Sequence, residues 1–343
     1  MRTKTLLGLT TALTTSLWFG IITSPTLRGA DKTGDASYRI SGPYTHENLA
    51  VFLIHGQDKI KNKNFLTLQE AMQEKKVIVH ETSNVNELAV ENVSSEEVFI
   101  QSGDIVKGGK QDRLITLDFV VPPKSGKMPI DAFCVEQGRW QARGREEAGY
   151  FASSDTQVAT KNLKLAAKYK MDQGEVWKNV AAAQSRLASS LATPVAAAES
   201  RSSLQLTLEN KKIQESSGNY TQKLLPIIEG KKDVVGYAFA INGKVNSADI
   251  YASSTLFRKL WPKLLKASAV EAIAEPDNGR KVEPATAEAV KSCLADAEKG
   301  ERSEKEVTSR IKMVTRETDQ NLLFETRDRE QKDAWIHRNY VTK

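Results

Sequence analysis

Two stretches of this 343-residue chain carry residue types at spacings that could do chemistry. The first is GDIVKGGKQDR, residues 103–113. Gly108 and Gly109 permit positive φ and close backbone approach. Successive N–H groups at such a turn can form a concave nest for an oxyanion. Lys107, Lys110 and Arg113 add positive charge, and a guanidinium can grip a carboxylate or phosphate with two bonds. Gln111 would orient the bound group. The competing reading is a glycine hairpin with a solvated, charged rim. A nucleotide-triphosphate loop of the Walker type is excluded by spacing. Gly103 is followed after four residues by Gly108, but the next residue is Gly109. If Gly109-Lys110 is used instead, the opening glycine falls on Asp104 and Gln111 supplies no hydroxyl.

The second stretch is CVEQGRW, residues 134–140. Strand alternation puts Glu136 on the same side as Ile130, Ala132 and Cys134. If that side is the core, Glu136 is a buried carboxylate and needs a cation, from Arg139, Lys110 or Arg113. Burial could raise its pKa and make it a general acid or base. A structural Glu–Arg pair is the equal alternative. The candidate site is therefore Glu136 as the catalytic group, with Gly108, Gly109, Lys110, Gln111, Arg113 and Arg139 on the ligand and Trp140 as a wall. Cys134 has no histidine nearby to activate it and reads as a core thiol. His46, His55, His80 and His337 show no metal-ligand spacing, and there is no paired-cysteine motif, so neither a metal nor a cofactor is expected.

The elements that must position these residues follow from periodicity. Residues 86–136 alternate with period two. Leu88 and Val90 share one face. Ile115, Leu117, Phe119 and Val121 share a face of one longer strand. Polar turns at 92–95, 102–104 and 122–127 separate the runs, which predicts an antiparallel sandwich or barrel. Thr67 and Glu70 make a capping box for a helix over 67–76. Residues 174–191 repeat apolar side chains at three- and four-residue steps, a helix. The Ala/Ser-rich 192–203 reads as a flexible loop. Asn242-Gly243 between two strand-like runs predicts a two-residue hairpin turn. A helix follows over 254–273, with Pro262 marking a kink or a restart. Another helix covers about 285–299, and strands follow at 311–317, 321–327 and 334–341. The expected fold class is α+β: an antiparallel β-rich core covered by helices, with a C-terminal hairpin-plus-helix portion. The expected organisation is a targeting segment at 1–30, a loose segment at 31–44, one domain over 45–305 and C-terminal strands over 306–343. Within the domain, 45–140 is β-rich, 160–192 helical and 230–299 mixed.

GDIVKGGKQDR followed some twenty residues later by CVEQGRW resembles the domain family named for its association with ADP-ribosyl glycohydrolases and rhodanese/phosphatase-superfamily proteins. The stretch VVGYAFAINGKVNSADIYASSTLFRKLWPKLL is similar to that family's C-terminal half, so the likeness spans roughly residues 40–275. The family pattern falls on Gly103, Gly109, Lys110, Gln111, Arg113, Glu136, Gly138, Arg139 and Trp140. By association the name implies a link to ADP-ribose, nucleotide or phosphate chemistry.

Composition bounds the rest. Hydrophobic content of 40% and charged content of 27% are those of a soluble globular chain. Arg2 and Lys4 precede an uncharged apolar run from Thr5 to Ile22, which reads as a secretory signal peptide. An uncleaved anchor is the alternative, and the membrane is expected to be touched only through this segment. Removing residues 1–30 takes away Arg2, Lys4 and Arg28 and no acid. That leaves 46 of the 49 basic side chains against 43 acidic ones, which is no nucleic-acid footprint. The expectation is an exported protein that binds a small anionic or polar molecule, phosphate-, nucleotide- or ADP-ribose-like, with or without hydrolysis. The rival is a non-catalytic structural or interaction module of the cell envelope. Spacing leaves the pairing of Cys134 and Cys293 open.

Overall fold

The backbone hydrogen bonds of this chain close mostly in antiparallel ladders. A computed structural model describes residues 38–343, apart from residues 62, 158–159, 278 and 280–281. The segment expected to direct export lies outside the described residues. Tyr38–Lys343 forms one unit, an α+β fold with a β-rich core.

The largest sheet has eight strands, in the order Arg39–His46, Leu49–His55, Val234–Ile241, Lys244–Tyr251, Ala334–Thr342, Asn321–Asp328, Ile311–Glu317 and Glu301–Glu306. Its centre is buried on both faces. Every residue of Val234–Ile241 is buried, so this strand reads as a continuous apolar run. Its turn is built as the sequence requires: Asn242 at φ 49° and Gly243 at φ 74° give the paired positive φ of a type I′ turn. The expected loose segment is corrected from Arg39 onward. Those residues form the edge strand paired with Leu49–His55. The strands after 305 join the same sheet as the 234–251 hairpin through the pairing of Ser247–Tyr251 with His337–Val341. The opposite edge, Glu301–Glu306, is exposed at every residue. Its alternating charges (ERSEKE) discourage pairing with another chain.

A second sheet has six strands, ordered Phe151–Gln157, Asp104–Gly108, Arg113–Ile115, Gly126–Cys134, Glu87–Asn92 and Val77–Asn84. A third pairs Leu66–Thr67, Val98–Ile100 and Phe119–Val121. The single strand expected from Ile115 to Val121 is therefore two short ones in different sheets. Between them Asp118 turns inward, 2% exposed, because its carboxylate has partners there that no sequence period announces.

Helices cover the sheets. Ser254–Ala274 is one continuous helix with Pro262 inside it, packed against Tyr237 through the Tyr237 hydroxyl and Ser268 Oγ at 3.1 Å. Its Phe257 and Trp261 meet the rings of Tyr237 and Tyr251 on the sheet beneath. Gln173–Ser190 is the amphipathic helix expected from Val176, Val180, Ala183 and Leu187, all buried. It is preceded by a π-helical turn, Leu165–Lys170, a form that concentrates at functional sites. No described helix is long and apolar enough to cross a membrane.

Candidate functional site

The hairpin turn at 108–112 and the strand end at 134–140 meet. Gly108 and Gly109 take φ 111° and 54°, and a Cβ on Gly109 would overlap the Phe151 ring. Glycine is required there for conformation and for space. The turn presents three successive N–H groups, and each is taken by the protein itself. Gly108 N–H donates to Asp112 Oδ1 at 2.9 Å, Gly109 N–H to the Tyr150 carbonyl at 3.1 Å, and Lys110 N–H to Glu81 Oε2 at 3.2 Å. Two of the three bonds of the nest are thus filled by the chain's own carboxylates.

Glu136 is fully buried, two residues past the end of its strand at Cys134, in a run from Ala132 to Glu136 that is buried throughout, so packing and not strand alternation buries it. Arg139 grips it with two bonds, Nε to Oε1 at 2.8 Å and Nη2 to Oε2 at 2.7 Å. The same guanidinium reaches the carbonyls of Gly109 and Gly108 at 3.1 and 3.2 Å, so it locks the turn to the strand end. Asp112 N–H donates to Glu136 Oε2 at 3.0 Å. Arg143 adds a contact to Glu136 Oε1 at 3.3 Å and grips both oxygens of Asp112 at 3.1 Å. Burial works against the charge on Glu136. The bonds from Arg139, Ser200 and the Asp112 N–H, with the Arg139 charge, outweigh it and hold the carboxyl below its ordinary range. That environment keeps it an ionised partner rather than a proton donor.

Arg113 is completely buried and faces inward. It donates to Gln111 Oε1 at 3.2 Å and to Cys134 Sγ at 2.7 Å, and it lies 3.4 Å from Glu81 Oε2. Gln111 in turn donates to the Glu136 carbonyl at 2.8 Å. Both cysteines are free. Burial, only partly offset by Arg113, pushes the Cys134 thiol up to about 11, which fits an inert core group.

Two of the candidate residues face outward. Trp140 is 45% exposed, and Lys110 Nζ lies 5.1 Å from its ring centre. Lys110 Nζ also donates to Ser83 Oγ at 2.8 Å. Tyr150, whose carbonyl holds Gly109, is 49% exposed, and Val85 beside Cys134 is 41% exposed. The candidate residues therefore divide. Gly108, Gly109, Gln111, Arg113, Glu136 and Arg139 form a buried support, and Lys110 and Trp140 lie on an open face above it. Sequence reasoning missed Glu81, Asp112, Arg143, Tyr150 and Glu146, which accepts from Arg143 Nη2 at 2.8 Å. Asp112 stood within the quoted motif, and Arg143 follows Arg139 by four residues, but neither spacing implies a partner.

A second polar cluster, also missed, lies where the sheets face each other. His337 is buried between two carboxylates, Nδ1 to Asp118 Oδ2 at 2.8 Å and Nε2 to Asp249 Oδ1 at 3.0 Å. It stacks on Tyr251 with ring centres 4.5 Å apart. Burial disfavours its charge, but the Asp118 charge and the bonds its ring makes to both carboxylates raise its pKa above the ordinary value. Lys168 stands 3.7 Å from Asp118, and Lys263 pairs with Asp104 at 2.7 Å. Beside this cluster is a cavity of about 20 Å³ lined by Ser102, Gly103, Lys164 and His337, room for about one water.

No curated protein and no solved structure matches this chain. Residues 37–341 match the family described as the ARG and Rhodanese-Phosphatase-superfamily-associated Protein domain. The match includes the edge strand from Arg39 and the strands after 305, so those elements are part of the domain. With nearly the whole described chain inside it, this chain belongs to that family.

Proposed function

We propose that this chain binds a small anionic molecule bearing a planar ring, nucleotide-like in chemistry, on the face made by Lys110, Trp140 and Tyr150. The observation that carries the reading is Trp140. A large aromatic stays 45% exposed on a loop whose backbone is fixed by the Arg139–Glu136 grip. An exposed ring on a rigid loop is a stacking platform, and base–aromatic stacking contributes about 1–3 kcal/mol. Lys110 Nζ lies over the ring at 5.1 Å and the Arg113 guanidinium at 5.6 Å, so a phosphate carried by a base stacked on Trp140 would meet positive charge. The buried ion cluster beneath would act as preorganised support.

Binding without turnover is the reading, because both oxygens of Glu136 are held by arginines and the group is kept ionised. The test is thermal shift with AMP, ADP-ribose, ribose and inorganic phosphate. AMP and ADP-ribose should stabilise the wild type. Trp140→Ala and Lys110→Ala should each weaken that binding about ten-fold or more. A second reading is favoured by the closure of the ion cluster on itself: the paired motifs are a clasp, and the domain is a non-catalytic interaction module. Absence of a shift with every ligand of the panel favours that module.

Residues 1–30 are proposed to direct export. Cell fractionation should place the protein outside the cytoplasm, and N-terminal sequencing should find a mature end near residue 31. A cytoplasmic protein starting at Met1 would overturn this.

A further inference from the structure

A serine, a histidine and an aspartate meet on the eight-stranded sheet, whereas the paired motifs border the six-stranded one. Arg39 faces His55 across the ladder of the edge strand and its neighbour, and Ser41 lies two residues along on the same face. Asp233 directly precedes Val234, which pairs with His55 from the other side. Ser41 Oγ is 2.7 Å from His55 Nε2, and His55 Nδ1 is 3.0 Å from Asp233 Oδ1. A hydroxyl on one ring nitrogen and a carboxylate on the other are the contacts of a nucleophilic triad, which is recognised by geometry and not by chain order. His55 and Asp233 are 178 positions apart, so spacing could not have found it.

The surroundings hold this geometry. His55 is 5% exposed, so packing fixes its ring. Gly56 N–H donates to the Asp233 carbonyl at 2.9 Å, which ties the aspartate's main chain to the end of the His55 strand. The edge strand bulges between Ser41 and Tyr44, a device that re-aims side chains beside active sites. Gly42 within the bulge takes φ 119°, and a Cβ there would come 2.8 Å from the Val51 carbonyl oxygen, so the residue after Ser41 must be glycine. Beyond the bulge the Tyr44 hydroxyl lies 3.5 Å from Ser41 Oγ, where it can donate to an oxygen that gains negative charge.

Arg39 bears on the tautomer. Its Nη2 is 2.7 Å from His55 Nδ1 and 2.8 Å from Asp233 Oδ2, and a guanidinium only donates. Donation to Nδ1 puts the ring hydrogen on Nε2, which makes Ser41 an acceptor and leaves it unreactive. With Arg39 on Asp233 alone, Nδ1–H donates to Asp233 Oδ1 and Nε2 is free to take the Ser41 proton. The Arg39 side chain is exposed, so both arrangements are open to it.

We propose that Ser41, His55 and Asp233 are a nucleophilic triad that hydrolyses small carboxylic esters, with Arg39 setting the fraction of His55 in the reactive tautomer. Ser41 Oγ bonds to the acyl carbon, and its proton passes to His55 Nε2. That proton goes to the leaving alcohol oxygen as the ester C–O bond breaks. Water then attacks the acyl-serine by the same route and releases the acid and the serine.

Labelling of the full chain with a fluorophosphonate tests the proposal, since an activated serine displaces the probe's fluoride. Mass spectrometry of the digested wild type should find the phosphonyl group on Ser41. Ser41→Ala should abolish that label and lower the release of p-nitrophenol from p-nitrophenyl acetate. His55→Gln should slow labelling about a hundred-fold or more, with near-UV circular dichroism showing the fold retained. Asp233→Asn should slow it less, because the carboxylate is half exposed. Arg39→Ala should speed it. Trp140→Ala should leave it unchanged, so failure here and failure of the nucleotide reading are distinguishable. No label on Ser41 in either the wild type or Arg39→Ala would overturn the triad, as would labelling at the full rate in His55→Gln. An unchanged or slower rate in Arg39→Ala would overturn the role given to that arginine.

Discussion

Glu136 shows how one carboxylate organises a neighbourhood. It is buried with two arginines on it, and removing one member of such a group leaves the others charged and unpaired. Breaking a buried pair in this way costs about 3–5 kcal/mol. Glu136→Ala should therefore lower the unfolding free energy, read from urea titration, by an amount in that range. A change under 1 kcal/mol, close to the worth of an exposed pair, would mean that water reaches the cluster. The pH dependence has a definite sign. The folded pKa of Glu136 is depressed, so its contribution is fully present above the ordinary value of 4.5 and is lost as pH falls toward the folded value. Acid unfolding of the wild type should lose this component below that value, and the alanine variant should lack it.

At the scale of elements, the turn and the long helix make opposite predictions. Gly109 combines positive φ with contact against the Phe151 ring. Gly109→Ala adds strain and overpacking and should destabilise by about 1–3 kcal/mol, measured as a lower melting temperature. Pro262 is exposed within a helix that continues through it. A proline there lacks a donor and crowds the preceding turn. Pro262→Ala should raise the melting temperature, recovering about 1–3 kcal/mol of an interior proline's cost. A drop instead would show that the helix packs in a shape only proline gives it.

At the scale of the whole molecule, His337 ties the sheets together. It lies on the strand Ala334–Thr342 and holds Asp118, which lies between the six- and three-stranded sheets. Its folded pKa is raised, so the contribution is fully present below the ordinary 6.5 and is lost as pH rises through the folded value. Wild-type stability should decline as pH rises above 6.5, and His337→Gln should flatten that slope while lowering stability at pH 6. Equal slopes in the two proteins would remove His337 from this role. The same tie predicts that limited proteolysis leaves one resistant body reaching from about residue 38 to the C-terminus. A stable fragment ending near 305 would contradict it, because that fragment lacks three strands of the largest sheet and the histidine.

Local chemistry was legible without coordinates. Thr67 and Glu70 form their capping box, and Asn242-Gly243 makes the tight turn. Each depends on neighbours within a few residues, where period and turn propensity act. The meeting of the 108–112 turn with 134–140 was expected as well, and the pairing of Arg113–Ile115 with Ala132–Cys134 produces it. Partners far apart in sequence were not legible. Asp118 and His337 are 219 positions apart, and Asp249 and His337 are 88 apart. No spacing rule links such residues, because a charge buried by tertiary packing is paired by whatever strand arrives beside it. The division of the motif residues into a buried support and an open face was likewise set by three dimensions. Lysine, arginine and tryptophan types allow both fates, and only the packing of the 146–151 segment and the 81–83 segment around the turn decides which side chains meet water.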